Sequence, residues 1–249
     1  MHERLVERLR AAGCVAAEEE ADEMVAASSD PATLDRWAAR RETGEPLAWI
    51  VGATSFCGRR IAIDPGVYVP RPQTEELARR AAARLPEHGR ALDLCTGAGA
   101  IAVHLAASVP TATVVGTDLD ERAARCARAN GGAVLVGDLD GALRPEATFD
   151  VITAVAPYVP TAAIALLPSD VQAHEPRTAL DGGRDGLEVV RRIVAVAGRR
   201  LTPGGHLLLE VGAGHDELLA GPLAEAGFDL VTPWEDDDGD LRGIEAART

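Results

Sequence analysis

The sequence predicts an α/β protein built on a mostly parallel sheet, with a helical segment in front of it. Three observations predict this. From Ala91 to Ala247 short apolar runs alternate with helix-length stretches, and repeated strand–helix units bury both faces of a parallel sheet. Residues 1–47 carry helical periodicity only. Between these parts, residues 48–72 read as short strands cut by Gly52, Gly58 and Pro65-Gly66, the texture of a hairpin linker. The expected division is therefore a helical domain over 1–47, a hairpin over 48–72 and an α/β domain over 73–249.

At the amino end, Leu5, Leu9 and Ala12 share a helix face. Asp30-Pro31 is an N-cap with proline at the first helical position, and Leu34, Trp37 and Ala38 form the apolar face behind it. The run Glu18-Glu19-Glu20 is a solvated face. A helical segment of this size is too small for a strong core of its own, so it should dock on the rest of the chain. Strands are expected at Trp49-Ile50-Val51, at Gly58 to Ile63 and at Val67-Tyr68-Val69. Thr74 is placed to cap a helix from Glu75 to about Leu85. Seven strands are then expected, at 91–94, 113–117, 133–136, 149–154, 205–211, 228–233 and 243–247. Helices are expected at 99–108, 121–129, 186–199 and 215–226.

Composition excludes several classes. The chain has 249 residues, 47% apolar and 26% charged, which is ordinary globular usage rather than disorder. Its net charge of -14 disfavours a phosphate backbone as partner, since that contact needs a positive surface. A small molecule or a protein is expected instead. Cys14, Cys57, Cys95 and Cys126 stand far apart without a CxxC pair, so neither a metal site nor a disulfide framework is expected. No apolar run has the length of a membrane span and the start has no signal-peptide pattern, so a cytoplasmic protein is expected, and without an obvious long apolar interface a monomer.

The strongest chemical signal is Asp93-Leu94-Cys95-Thr96-Gly97-Ala98-Gly99, where the first strand of the sheet turns into the first helix. Glycines there let backbone approach a ligand, and the helix start offers free N–H groups. Asp118 ends the next strand, 19 residues after Gly99, with Leu119 beside it. A carboxylate at that point can accept both ribose hydroxyls of an adenosine ligand. Asp138 and Leu139 come after the third strand, as acceptor and apolar wall for an adenine edge. Gly97-x-Gly99-x-x-Ala102 also fits a dinucleotide fingerprint, which keeps an NAD-dependent oxidoreductase as a rival. Against it, the chain contains no lysine for a Tyr-x-x-x-Lys group. Asp93 also suits the ammonium of S-adenosylmethionine (SAM) better than a pyrophosphate. The expected cofactor is SAM, in a Rossmann-like seven-stranded SAM-dependent methyltransferase fold.

A second signal, Val155-Ala156-Pro157-Tyr158, comes after the fourth strand. Together with Arg40-Arg41-Glu42-Thr43-Gly44-Glu45-Pro46-Leu47, Val69-Pro70-Arg71-Pro72-x-Thr74-Glu75 and Ala179-Leu180-x-Gly182-Gly183-x-Asp185-Gly186-Leu187, it resembles the HemK/PrmC-type protein-(glutamine-N(5)) methyltransferases. That family modifies the Gly-Gly-Gln loop of peptide-chain release factors. The resemblance implies a catalytic motif Asn-Pro-Pro-Tyr at positions 155–158, whose asparagine oxygen and next carbonyl accept from the substrate amide. Here Val155 has no such acceptor, and Gln73 stands where the family usually has glutamate. Tyr68 is then either a residue near the SAM methyl, with Arg71 supporting the pocket, or an ordinary strand aromatic. His174 is the one histidine placed to accept a proton. Three readings stay open: compensated glutamine methylation, a small-molecule acceptor, or a SAM binder without activity.

Overall fold

The computed structural model describes residues 1–248. Helices α1 (His2–Ala11), α2 (Ala17–Ala27) and α3 (Pro31–Arg41) form the leading part. Asp30 caps α3 as expected, accepting from the N–H groups of Ala32 and Thr33. Leu5, Leu9, Met24 and Leu34 meet in a cluster of their own, which Leu47 and Val51 extend. Arg41 grips Glu20 with two hydrogen bonds, of 2.7 and 3.0 Å, and ties α3 to α2.

The linker differs from its expected form. Trp49-Ile50-Val51 lies in a short helix, α4 (Leu47–Val51), closed by Gly52 at φ 78°. An apolar run without polar alternation fits either periodicity, and Gly52 in the left-handed region resolves it as a helix end. The hairpin is β1 (Ala53–Phe56) against β2 (Arg59–Ala62), with Phe56 opposite Arg59. Cys57 and Gly58 both have positive φ, the conformation that a two-residue hairpin turn requires. Residues 67–69 form no strand. Their backbone instead gives Val67 O to the buried Trp49 indole N–H at 2.9 Å.

Next come α5 (Thr74–Arg84), β3 (Arg90–Leu94), α6 (Ala100–Ser108), β4 (Thr113–Asp118), α7 (Glu121–Ala129), β5 (Val134–Val136) and β6 (Phe149–Ala154). The short α8 (Ser169–His174) precedes α9 (Glu188–Arg200), β7 (Leu201–Glu210), α10 (His215–Glu225), β8 (Phe228–Glu235) and β9 (Leu241–Arg248). The seven-stranded sheet runs β5-β4-β3-β6-β7-β9-β8. Neighbours are parallel except β9, which is antiparallel to both β7 and β8. Leu92, Leu94, Val151, Ile152 and Leu207 are fully buried, as central strands covered on both faces must be. One core cluster joins α5 and α6 to the sheet; the other joins α9 and α10 to it. Helix α9 starts two residues later than expected, because the Asp185 carboxylate accepts from Leu187 N–H ahead of it.

The chain leaves β3 outward through β4 and β5, then returns to the other side of β3 as β6. The carboxyl ends of β3 and β6 thus flank a point where strand order reverses, which is where open α/β sheets form a ligand crevice.

Candidate active site

A cavity of about 470 Å³ opens at that point. Its floor is the turn after β3. Cys95 and Gly97 take φ 56° and Gly99 takes φ 81°, so three left-handed residues fold the backbone back before α6 begins. Gly99 stands behind the turn rather than on the cavity wall: a Cβ there would come within 2.8 Å of the Ala127 Cβ. Its lack of a side chain lets α6 pack closely against α7.

Register sets the polar groups beneath this turn. Asp93 lies opposite Thr153 across the β3–β6 pair. Asp93 is 1% exposed. Its Oδ1 accepts from Thr153 Oγ1 at 2.8 Å and its Oδ2 from Thr96 Oγ1 at 2.5 Å. Burial pushes its carboxyl up to about 6, against the pull of those hydroxyls and of Ala102 N–H. Asp93 therefore borders the cavity while its carboxylate holds the turn together. Cys95 is half-buried at the cavity, and desolvation with the nearby Asp118, Asp93 and Asp138 pushes its thiol well up.

Asp118 is placed at the end of β4 as the sequence predicts. Its Oδ2 accepts from Gly97 N–H at 2.8 Å and its Oδ1 from Asp120 N–H at 2.9 Å. Each oxygen keeps a further lone pair, and the side chain borders the cavity with Leu119. Burial raises its carboxyl. Asp138 and Leu139 border the same cavity beyond β5. Leu139 adopts φ 50°, and Asp138 pairs with Arg192 of α9 at 2.7 Å. Arg192 is a cavity residue that sequence reasoning missed, because nothing local links α9 to the end of β5.

The opposite wall is the segment after β6. Val155, Ala156, Pro157 and Tyr158 all border the cavity. Val155 packs its side chain against the core cluster and offers no polar atom. Tyr158 Oη donates to Glu210 Oε1 at 3.2 Å, and Thr74 Oγ1 donates to Glu210 Oε2 at 2.5 Å. Thr74 is thus not a helix cap; Gln73 occupies that position, without a capping bond. His215 meets the Tyr158 ring edge-on, with centroids 6.3 Å apart. Sequence reasoning missed Glu210 and His215 as well. The available signal was an acid closing the otherwise leucine-rich β7.

Tyr68 borders the cavity, whereas Arg71 lies behind it. The Arg71 guanidinium sits 5.1 Å over the Tyr68 ring, its Nε donates to Tyr68 Oη at 3.3 Å, and it forms an ion pair with buried Glu175. Arg71 is therefore a support and not a wall residue. His174 is not on the wall either; it lies against Trp49, 6.3 Å between ring centroids. Pro176, Thr178, Ala179 and Leu180 also border the cavity. Among the described residues no group of three or more acidic, histidine or cysteine side chains could hold a metal.

A family model described as a methyltransferase domain matches residues 91–169. A release factor glutamine methyltransferase from Geobacter sulfurreducens is 40% identical over 76% of this chain and 69% of its own length. The chain belongs to the release factor glutamine methyltransferase family. A 4-amino-L-phenylalanine/4-methylamino-L-phenylalanine methyltransferase from Streptomyces pristinaespiralis is also similar, 42% identical over 70% of this chain and 63% of its own. A methyltransferase from Pyrococcus furiosus shares the fold, with a TM-score of 0.57 at 20% identity over 86% of this chain and 98% of that one. Membership in the release factor glutamine methyltransferase family removes the dinucleotide alternative that the glycine turn had left open.

Proposed function

We propose that this chain binds SAM in the cavity and transfers its methyl group to the side-chain nitrogen of a glutamine in the Gly-Gly-Gln loop of a peptide-chain release factor. The observation that carries this reading is a cavity bounded both by Asp118 at the end of β4 and by the Val155–Tyr158 segment at the end of β6. A nucleoside held by its ribose hydroxyls at Asp118 and edged by Asp138 and Leu139 extends along the Cys95–Ala98 turn toward Tyr68 and Tyr158. SAM would supply a sulfonium-bound methyl group. As the substrate nitrogen's lone pair forms the N–C bond, the C–S bond breaks and S-adenosylhomocysteine leaves. The nitrogen gives up one of its two hydrogens as a proton to water. The protein's task is positioning. Ala156 keeps the backbone carbonyl that accepts from the substrate amide, and Tyr158 borders the same space. A monomer acting in the cytoplasm, without nucleic acid as partner, belongs to the same reading.

A second reading has its own support: a small-molecule amine as acceptor. Val155 lacks the side-chain oxygen that a carboxamide uses, and a relative carries a name that refers to an aromatic amino acid. One experiment separates them. The protein is incubated with labelled SAM, first with a release factor and then with a panel of aromatic and aliphatic amines. Label on the Gly-Gly-Gln glutamine, located by mass spectrometry, supports the first reading; label confined to the amines replaces it with the second. Binding of SAM without label on either would leave a SAM binder only and end both.

A further inference from the structure

Glu210 is a buried carboxylate, 4% exposed, at the carboxyl end of β7. Its two oxygens accept from the hydroxyls of Tyr158 and Thr74. Those two residues come from different parts of the chain, and both border the cavity, whereas Glu210 lies behind them. Burying a carboxylate costs several kcal/mol unless its partners offset it; here the two hydroxyls bond it directly, while the charges of Arg242 and Arg71 act on it without a hydrogen bond. The arrangement has a chemical consequence. A hydroxyl owns one hydrogen and two lone pairs. Once Tyr158 and Thr74 have each turned that hydrogen toward Glu210, only lone pairs remain for a ligand. Both hydroxyls are therefore acceptors toward the cavity, and the adjacent negative charge strengthens them.

Tyr68 has the opposite polarity. Its oxygen accepts from Arg71 Nε, which leaves its own hydrogen to donate. The wall around the acceptor space thus combines two acceptor oxygens with one donor hydrogen. A primary carboxamide is the complement of that pattern, since its NH2 donates and its carbonyl accepts. We propose that Glu210 is a positioning residue which fixes Tyr158 and Thr74 as hydrogen-bond acceptors for the substrate NH2, replacing the acceptor side chain absent at Val155. The inference rests on the glutamine reading above and deepens it.

The test compares wild type, Glu210→Gln, Tyr158→Phe, Val155→Asn and the Val155→Asn/Glu210→Gln double variant, with a full-length release factor as acceptor. Glutamine at 210 keeps the shape but donates to one hydroxyl, whose hydrogen then turns into the cavity. Glu210→Gln and Tyr158→Phe are each expected to raise KM for the release factor by about tenfold or more, the scale of one charge-assisted hydrogen bond. The Kd of SAM, by calorimetry, is expected to change by less than about twofold because that end of the cavity is untouched. In the Val155→Asn background the Glu210→Gln penalty should shrink severalfold, since the family's own acceptor has returned. An undiminished penalty in that background, or no penalty at all, overturns the proposal. If wild type methylates no release factor, the glutamine reading falls, and phenolate absorbance then decides Glu210 separately. The chain has two tyrosines, and removing the charge at 210 should lower the titration of one; two unchanged titrations would show that the Glu210–Tyr158 bond does not exist in solution.

Discussion

At the scale of single residues, Val155 and Asp118 carry opposite weights. Val155→Asn restores an amide oxygen beside the Ala156 carbonyl. It is expected to raise glutamine methylation by about tenfold or more, since one preorganised polar contact is worth that much or better; a rate that does not rise would show that the missing acceptor is irrelevant here. Asp118→Ala removes the carboxylate that can receive the ribose hydroxyls and also frees Gly97 N–H. Calorimetry should show SAM binding weakened by about tenfold or more, and unchanged affinity would place the ribose elsewhere. Asp118 was legible because strand-end acids come after the glycine turn at a fixed place in this topology. Glu210 was not. Its meaning depends on β7 lying beside β6 and on Thr74 arriving from α5, and neither adjacency has any local trace in the sequence.

Elements add contacts that tie the linker to the glycine turn. Asn130, at the end of α7, exchanges two hydrogen bonds of 2.8 Å with Ala62 of β2, and its Nδ2 also donates to Ala98 O at 2.9 Å. One side chain therefore fastens the hairpin edge to the cavity floor. Asn130→Ala should cost about 2 kcal/mol in urea unfolding, because it leaves backbone groups to find new partners. It should also weaken SAM binding through Ala98. A variant as stable as wild type would mean that the hairpin is held by its apolar contacts alone. The strand–helix alternation could be read correctly because each unit is long enough to show its period. The five residues of α4 are too few to do so. Only the left-handed Gly52 and the indole bond of Trp49 to Val67 reveal which way that run folds.

For the molecule as a whole, buried acids around the cavity couple stability to pH. The Asp93 carboxyl moves from 3.8 to about 6 on folding, and burial moves Asp118 and Glu210 the same way. The folded state therefore holds these protons more tightly than the unfolded chain. Each such group lowers stability above its folded pKa, and that penalty disappears as pH falls toward the unfolded value. For Asp93 the stability of wild type relative to Asp93→Asn should rise by up to about 3 kcal/mol between pH 7 and pH 4. Urea melts across that range measure it, and a difference that stays flat would show Asp93 to be solvated. The parallel sheet covered on both faces was legible in the strand–helix alternation, but its strand order was not. The wholly apolar run of β5 lies at the edge of the sheet, whereas β3, β6 and β7, which carry Asp93, Asp150 and Glu210, lie inside it. The point of reversal between β3 and β6 then places the strand-end residues of the cavity, while the linker adds Phe56, Val67 and Tyr68.

The thiol in the floor of the cavity has one more consequence. A sulfonium methyl donor alkylates nucleophiles, and an ionised cysteine is the strongest nucleophile a protein side chain commonly offers. Cys95 sits half-buried on the cavity wall, and desolvation with three surrounding carboxylates raises its thiol well above the ordinary range. That shift disfavours the thiolate, the form of the sulfur that a bound sulfonium would methylate.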